Sequence, residues 1–252
     1  MDAERFTKQI MLEEIGTQGQ EKLFDASVLV IGAGGMGSPL LYCLAGAGVG
    51  TIGIADSDIV SVSNLNRQYL HFERDIGTLK VHSAAKKLKE FNSHINIISH
   101  ETAINTENAY EIISQYDVVA LAVDNTQTRM IVNKACVELG KPFTDGAVNG
   151  FVGTSIFVNP GLTPCLACLY GTNIPPEDNL GAVASIVGTI STIQGTTIMQ
   201  YILGLDMPLA GKLFYYDGLR ASTEKLKLKF NKTCPICSQK VKSKKKETKV
   251  TV

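Results

Sequence analysis

Ala26-Ser-Val-Leu-Val-Ile31-Gly32-Ala33-Gly34-Gly35-Met36-Gly37-Ser38-Pro39 is the stretch that decides the fold of this 252-residue chain. Residues 26–31 form a short β-branched run, which reads as a buried strand. It enters a G-x-G-x-x-G turn made by Gly32, Gly34 and Gly37. Pro39 then stands early in a segment that reads as a helix to Ala47, where proline is tolerated. Val49 to Ala55 is a second apolar strand, ending at Asp56. Strand, glycine turn, helix and strand make a βαβ unit. Residues without Cβ let backbone approach a phosphate, and the following helix N-terminus offers N–H groups. A carboxylate at Asp56 is placed to accept from ribose hydroxyls.

Outward from this unit the alternation continues. Lys80 to Phe91 reads as an amphipathic helix, with Val81, Ala84, Ala85 and Leu88 on one side and Lys86, Lys87 and Lys89 elsewhere. Strands are expected at Ile95–Ile98, Asp117–Val123 and Pro142–Ala147, with helices at Asn105–Gln115 and Gln127–Leu139. The segment Glu4–Leu23 also reads as helical. The pattern is α/β: a Rossmann-like, doubly wound, mostly parallel sheet. After Asn149 it changes. Phe151–Val158, Lys212–Tyr216 and Lys225–Phe230 read as antiparallel strands extending the sheet. A long helix is expected from Val183 to Leu203. Before it, Gly171–Gly181 lacks periodicity and is a loop long enough to be functional or mobile.

Hydrophobic residues make up 44% and charged residues 19% of the chain, which excludes disorder, collagen and coiled coil. No uninterrupted apolar run has the length of a membrane span, so no membrane association is expected. The N-terminus does not read as a secretory signal. A cytoplasmic location is therefore expected, where thiols stay reduced. Net charge is zero, but residues 240–252 hold six lysines against Glu247, which leaves the body at about −5. A body of that sign does not suit nucleic acid, and the lysine-rich end reads as a disordered, solvated tail. One folded unit is expected over residues 1–239, its nucleotide-binding half ending near residue 150.

A nicotinamide dehydrogenase shares everything up to Asp56. The polar run that follows, Asp56-Ser-Asp58-Ile-Val-Ser-Val-Ser63-Asn64-Leu-Asn-Arg67-Gln68, separates the alternatives. A nucleoside triphosphate needs extra donors. Arg67 offers a planar fork for phosphate oxygens, Asn64 an amide, and Lys80 a point charge. Asp124, at the carboxyl end of a parallel strand, faces the crevice where such folds bind ligands and suits Mg²⁺. Asp124-Asn125 also reads as a helix N-cap. Farther on, Cys165-Leu-Ala-Cys168 and Cys234-Pro-Ile-Cys237 supply four thiolates, a set that suits structural Zn²⁺. Disulfides and a redox pair are the alternatives. Cys43 and Cys136 fall in apolar helical patterns and read as buried structural thiols.

Gly32-Ala-Gly-Gly35-Met-Gly37, Asp56-x-Asp58, Ser63-Asn64-Leu-Asn-Arg67-Gln68, Lys80 and Asp124-Asn125, in this order, resemble the MoeB/ThiF family. These are E1-like enzymes that adenylate ubiquitin-like sulfur carriers, related to the adenylation half of eukaryotic ubiquitin-activating enzymes. Arg5-Phe-Thr-Lys8-Gln9-Ile is similar to the family's R-Y-x-R-Q-I signature, and the resemblance runs from Arg5 to Cys237. It implies that ATP with Mg²⁺ activates the C-terminal glycine carboxylate of a MoaD- or ThiS-like carrier ending in Gly-Gly, and that the four cysteines bind zinc. It also implies a homodimer, in which the position of Lys8 reaches the neighbouring subunit's nucleotide. The family has arginine there, so lysine keeps the charge but loses the fork. Asp56, Asp58, Ser63, Asn64, Gln68 and Asn125 join the glycine turn as nucleotide-binding candidates. Lys8, Arg67, Lys80 and Asp124 are the catalytic candidates. Residues 151–239 would bind the carrier. By resemblance the loop before the long helix covers the carrier's tail, and in some members it holds a reactive cysteine; here it reads GTNIPPEDNL. The rhodanese-like domain of longer members is not expected within these 252 residues. A non-catalytic nucleotide-binding scaffold is a third reading, beside adenylation and nicotinamide-dependent oxidoreduction.

Overall fold

The structure, a computed structural model, describes residues 4–171 and 181–238. The loop expected at 171–181 therefore falls almost wholly outside the described residues, as does the lysine-rich tail. Strands β1 (Ser27–Ile31), β2 (Thr51–Ala55), β3 (Asn96–His100), β4 (Val118–Leu121), β5 (Phe143–Asn149), β6 (Val152–Val158), β7 (Lys212–Asp217) and β8 (Ser222–Lys227) form one sheet. Its order is β3-β2-β1-β4-β5-β6-β7-β8. The first five strands pair in parallel and the last three add on antiparallel. The strand order reverses between β1 and β4, which opens a crevice beyond their carboxyl ends.

Helices cover both faces of the parallel part. They are α1 (Thr7–Ile10), α2 (Gly16–Asp25), α3 (Gly37–Ala47), α4 (Lys80–Phe91), α5 (Ala109–Ser114), α6 (Thr126–Leu139), α7 (Leu166–Tyr170) and α8 (Ala184–Leu203). In β1, Val28 and Val30 pack on one face, with Leu40, Leu44, Val81 and Ile190 among their cluster. Leu29 and Ile31 pack on the other face, with Ile113, Val132 and Val137. Period-two alternation with both faces covered explains why the strand reads as an unbroken apolar run.

Differences from the sequence expectations have local causes. The N-terminal segment breaks into α1 and α2 at Gly16, whose φ is +57°, and Phe6 is buried against Gly48. The helix expected from Asn105 begins only at Ala109. Asn105 Oδ1 accepts from the Glu107 and Asn108 amides at 2.8 and 3.2 Å, so the side chain holds a turn in place of the first helical turn. Lys87 lies among the polar residues of α4, yet it is buried, paired with Asp75 of the preceding loop and lying 4.9 Å from the Phe72 ring centre. The last strand starts earlier than expected, as a hairpin partner of β7. It is exposed throughout, and Lys225 and Lys227 guard this sheet edge. Among the described residues no helix is long and apolar enough to cross a membrane.

Candidate functional site

A cleft of about 800 Å³ opens at the carboxyl ends of β1, β2, β4 and β5. The glycine turn forms one wall. Gly32 has φ +99°, and a Cβ there would lie 2.6 Å from the Ala122 carbonyl oxygen. At Gly37 a Cβ would lie 2.0 Å from Gly32 O, so this glycine permits α3 to start directly against the turn. Gly32, Gly34 and Gly35 line the cleft, while Gly37 is packed behind it.

Asp56 ends β2 and both its carboxylate oxygens are anchored. Oδ2 accepts from Ala33 N at 2.7 Å and Oδ1 from Asp58 N at 2.8 Å. Each oxygen keeps a further lone pair, and the side chain lines the cleft. Arg67 lies along the same wall, packed against Gly35. Its guanidinium donates to Ser63 O and Asn66 Oδ1, both at 3.0 Å, with donors left over. Gln68 is buried against Gly34, and its Oε1 has no hydrogen-bond partner. Lys80, the first residue of α4, holds its ammonium 2.8 Å from Asp58 Oδ2. The lysine side chain is 7% exposed and the aspartate 67%, so a buried stem presents its charge at the cleft edge. Asp124, exposed beyond β4, lines the opposite wall.

The cleft thus gathers Gly32, Gly34, Gly35, Asp56, Asp58, Arg67, Gln68, Lys80, Asp124 and Asn125. Besides Gly37, three other candidates lie outside its wall. Asn64 spends its side-chain oxygen on Ser61 N at 3.1 Å, shaping the turn that presents Arg67. Ser63 contributes its carbonyl to Arg67, and its hydroxyl lies 3.0 Å from that of Ser61. Lys8 sits exposed on α1. Asn125 does line the cleft, but its Oδ1 caps α6 by accepting from Thr128 N at 2.8 Å.

The sequence reading missed three polar residues around the site. Arg129 and Asp145 form a buried pair at 3.6 Å. The same guanidinium donates to Val123 O at 2.7 Å and Gly146 O at 3.1 Å, tying β4 to β5 in the cleft floor. An aspartate inside the expected strand Pro142–Ala147 of a sheet covered on both faces was the available signal, because buried charges need partners. His71 is buried behind the glycine turn and hydrogen-bonded to Ala33 O at 2.8 Å.

Outside the cleft lining, Cys165, Cys168, Cys234 and Cys237 converge, their four sulfurs all within 4.8 Å of one another. Cys165–Cys234 and Cys168–Cys237 are 3.7 and 3.3 Å apart. Disulfide sulfurs sit about 2.05 Å apart, whereas thiolates around tetrahedral zinc, with bonds of about 2.3 Å, sit near 3.8 Å. The donor set and its spacing fit such an ion. Burial pushes the Cys165 thiol up to about 11, and a bound dication reverses that preference. Cys136 is buried, and Cys43 is partly buried against Gly195 of α8.

A model of the ThiF family matches residues 6–236. This chain belongs to the ThiF family. Among family relatives, the adenylyltransferase and sulfurtransferase MOCS3 of Culex quinquefasciatus is 44% identical over 240 residues, covering 93% of this chain and 55% of that protein. The chain therefore spans about half the length of the MOCS3 relatives it matches. The sulfur carrier protein adenylyltransferase of Thermus thermophilus is 40% identical over 250 residues, covering 94% of this chain and 91% of that one. Escherichia coli MccB, solved with MccA-N7isoASN, superposes with a TM-score of 0.84 at 20% identity, over 94% of this chain and 75% of that chain, and supports the fold alone.

Proposed function

We propose that this chain adenylates the C-terminal glycine carboxylate of a ubiquitin-like sulfur-carrier protein. The observation that carries the reading is the convergence of Arg67 and Lys80 on the cleft that holds the glycine turn and Asp56. A dinucleotide fold needs only the last two; the added cations suit a triphosphate. The Thermus thermophilus relative, named as a sulfur carrier protein adenylyltransferase and covered over 91% of its length, supports the same reading.

Under this reading Asp56 accepts from the ribose hydroxyls, and Gly34 and Gly35 let the phosphates approach backbone. Arg67 and Lys80 neutralise phosphate charge. A carrier carboxylate oxygen attacks the α-phosphorus, the bond to the bridging oxygen breaks, and pyrophosphate leaves. A terminal carboxyl titrates at about 3.3–3.7, so it arrives ionised and needs no general base. The barrier lies in bringing an anion to a polyanion, which positioning and fixed positive charge overcome. Asp124 is the residue that would hold Mg²⁺, which when bound offsets phosphate charge. The four cysteines would hold a zinc ion that clips the segment after β8 onto α7. Residues 1–150 then form the nucleotide half and residues 151–239 the carrier half. A homodimer would give the exposed Lys8 a role at a neighbour's nucleotide, and a cytoplasmic location would keep the four cysteines reduced and free to hold the ion.

The test is carrier-dependent exchange of labelled pyrophosphate into ATP, with a MoaD- or ThiS-type carrier ending in Gly-Gly. Asp124→Ala is expected to lower exchange by at least about 10²-fold while ATP still binds. Mg-ATP is expected to raise the melting temperature and NADH to leave it unchanged. Protection by NADH alone would favour the oxidoreductase, and ATP binding without exchange would favour a non-catalytic scaffold.

A further inference from the structure

The peptide between Ala33 and Gly34 is held from behind by a buried chain of polar groups. His71 is 3% exposed. Its Nε2 lies 2.8 Å from Ala33 O. A carbonyl only accepts, so Nε2 carries the proton and donates. Nδ1 is then the acceptor, and Ser83 Oγ, 2.9 Å away, donates to it. Lys87 Nζ donates to the same Oγ at 2.7 Å and is itself paired with Asp75. Burial holds the imidazole below its ordinary pKa, and Lys87 and Lys80 push the same way, so the ring is neutral near pH 7.

The Ala33 N–H is fixed as well, by Asp56 Oδ2 at 2.7 Å. Both backbone groups of Ala33 are therefore occupied. Among the described residues there are no cis peptide bonds, and in a trans peptide the C=O and the next N–H point in opposite directions. With Ala33 O drawn inward to His71, the Gly34 N–H is turned outward, and Gly34 lines the cleft. Among the described residues this N–H makes no backbone hydrogen bond. The turn that delivers His71 also delivers Arg67 to the wall and Gln68 beneath Gly34, through Arg67 N and Gln68 N to Asn64 O and His71 N to Gln68 O.

We infer that His71 is a positioning residue that locks the Ala33–Gly34 peptide so that the Gly34 N–H is presented to a nucleotide phosphate. This rests on the ATP reading of the cleft. The imidazole touches no substrate; it acts through the backbone. Ser83 and the Lys87–Asp75 pair set its tautomer and orientation, as second partners do for metal-bound or catalytic imidazoles.

Binding of Mg-ATP and of adenosine is measured calorimetrically on the full chain for wild type, His71→Phe and His71→Gln, with melting temperatures alongside. Phenylalanine fills the space and removes the donor. Glutamine can return an amide N–H near the Nε2 position. His71→Phe is expected to weaken Mg-ATP binding about tenfold, the scale of one lost hydrogen bond, with adenosine affinity unchanged. His71→Gln is expected to stay within about threefold of wild type. Equal weakening for adenosine and ATP would mark a merely structural role and overturn the inference, as would wild-type ATP affinity in His71→Phe. If that variant does not fold, Ser83→Ala supplies the answer: weaker ATP binding with intact adenosine binding supports the inference, and unchanged ATP binding overturns it. A wild-type chain that binds no ATP would instead overturn the reading on which the inference rests.

Discussion

Replacing Lys80 with methionine is expected to lower carrier-dependent pyrophosphate exchange by about 10²–10³-fold, the usual cost of removing one preorganised charge from a phosphoryl-transfer site. Methionine retains the apolar stem that α4 buries and deletes only the ammonium, so the fold should tolerate it. The size of the effect has two sources. The positive charge is lost, and Asp58, which Lys80 holds at 2.8 Å, is left as an uncompensated anion at the edge of a cleft meant for a polyanion. A double variant, Lys80→Met with Asp58→Asn, should therefore regain part of the loss, and the pair should be strongly non-additive. Exchange in Lys80→Met within twofold of wild type would remove Lys80 from the phosphate-neutralising set.

The second large effect concerns the cysteine cluster. Cys234→Ser is expected to release one equivalent of bound zinc, measured by elemental analysis of the purified chain, and to lower the melting temperature by roughly 10 °C, as a loss of several kcal/mol does for a domain of this size. Cys234 sits beyond β8, outside any helix or strand, whereas Cys165 and Cys168 belong to α7 and its cap. Loss of metal should thus free the C-terminal segment first. ATP binding in the cleft should survive, because none of the four cysteines lines it. Cys136→Ser, a buried thiol outside the cluster, is the control and should retain the metal. A Cys234→Ser variant with full metal content and unaltered melting would contradict the assignment of the cluster.

What the sequence disclosed and what it hid divide along physical lines. Parallel strands covered on both faces leave unbroken apolar runs, so β1 and β2 and the glycine turn between them could be read directly. The helix expected at Lys80–Phe91 is observed with those bounds, because a one-sided apolar stripe is visible in a window of that length. Apart from Lys80, which opens α4, the cleft candidates that the structure gathers lie at strand ends or in the segments that follow them, where local motif spacing specifies position. Features that depend on pairing between distant segments were not legible. Arg129 reads as an ordinary polar residue of α6 until β5 brings Asp145 beneath it. Lys87 reads as a solvated charge until the Asp75 loop folds over it. His71 gives no signal of its own, since the partner that defines it is a backbone carbonyl 38 residues away. Asn64 and Asn125 show the converse. Both suit a phosphate site by residue type, yet the described geometry engages each side-chain oxygen in its own local turn or helix cap. Asn125 still borders the cleft, and its amide hydrogens remain able to donate there.

The central claim is that a carrier's terminal carboxylate attacks the α-phosphorus of ATP held in this cleft. The most direct measurement follows oxygen. A Gly-Gly-ending carrier carrying ¹⁸O in its terminal carboxylate is incubated with the chain, Mg-ATP and a thiol nucleophile, and the released nucleotide is examined by mass spectrometry. Attack at the α-phosphorus transfers one carboxylate oxygen to phosphorus, so ¹⁸O is expected in AMP, accompanied by pyrophosphate. Formation of ADP and inorganic phosphate, or of AMP without the label, would contradict the account.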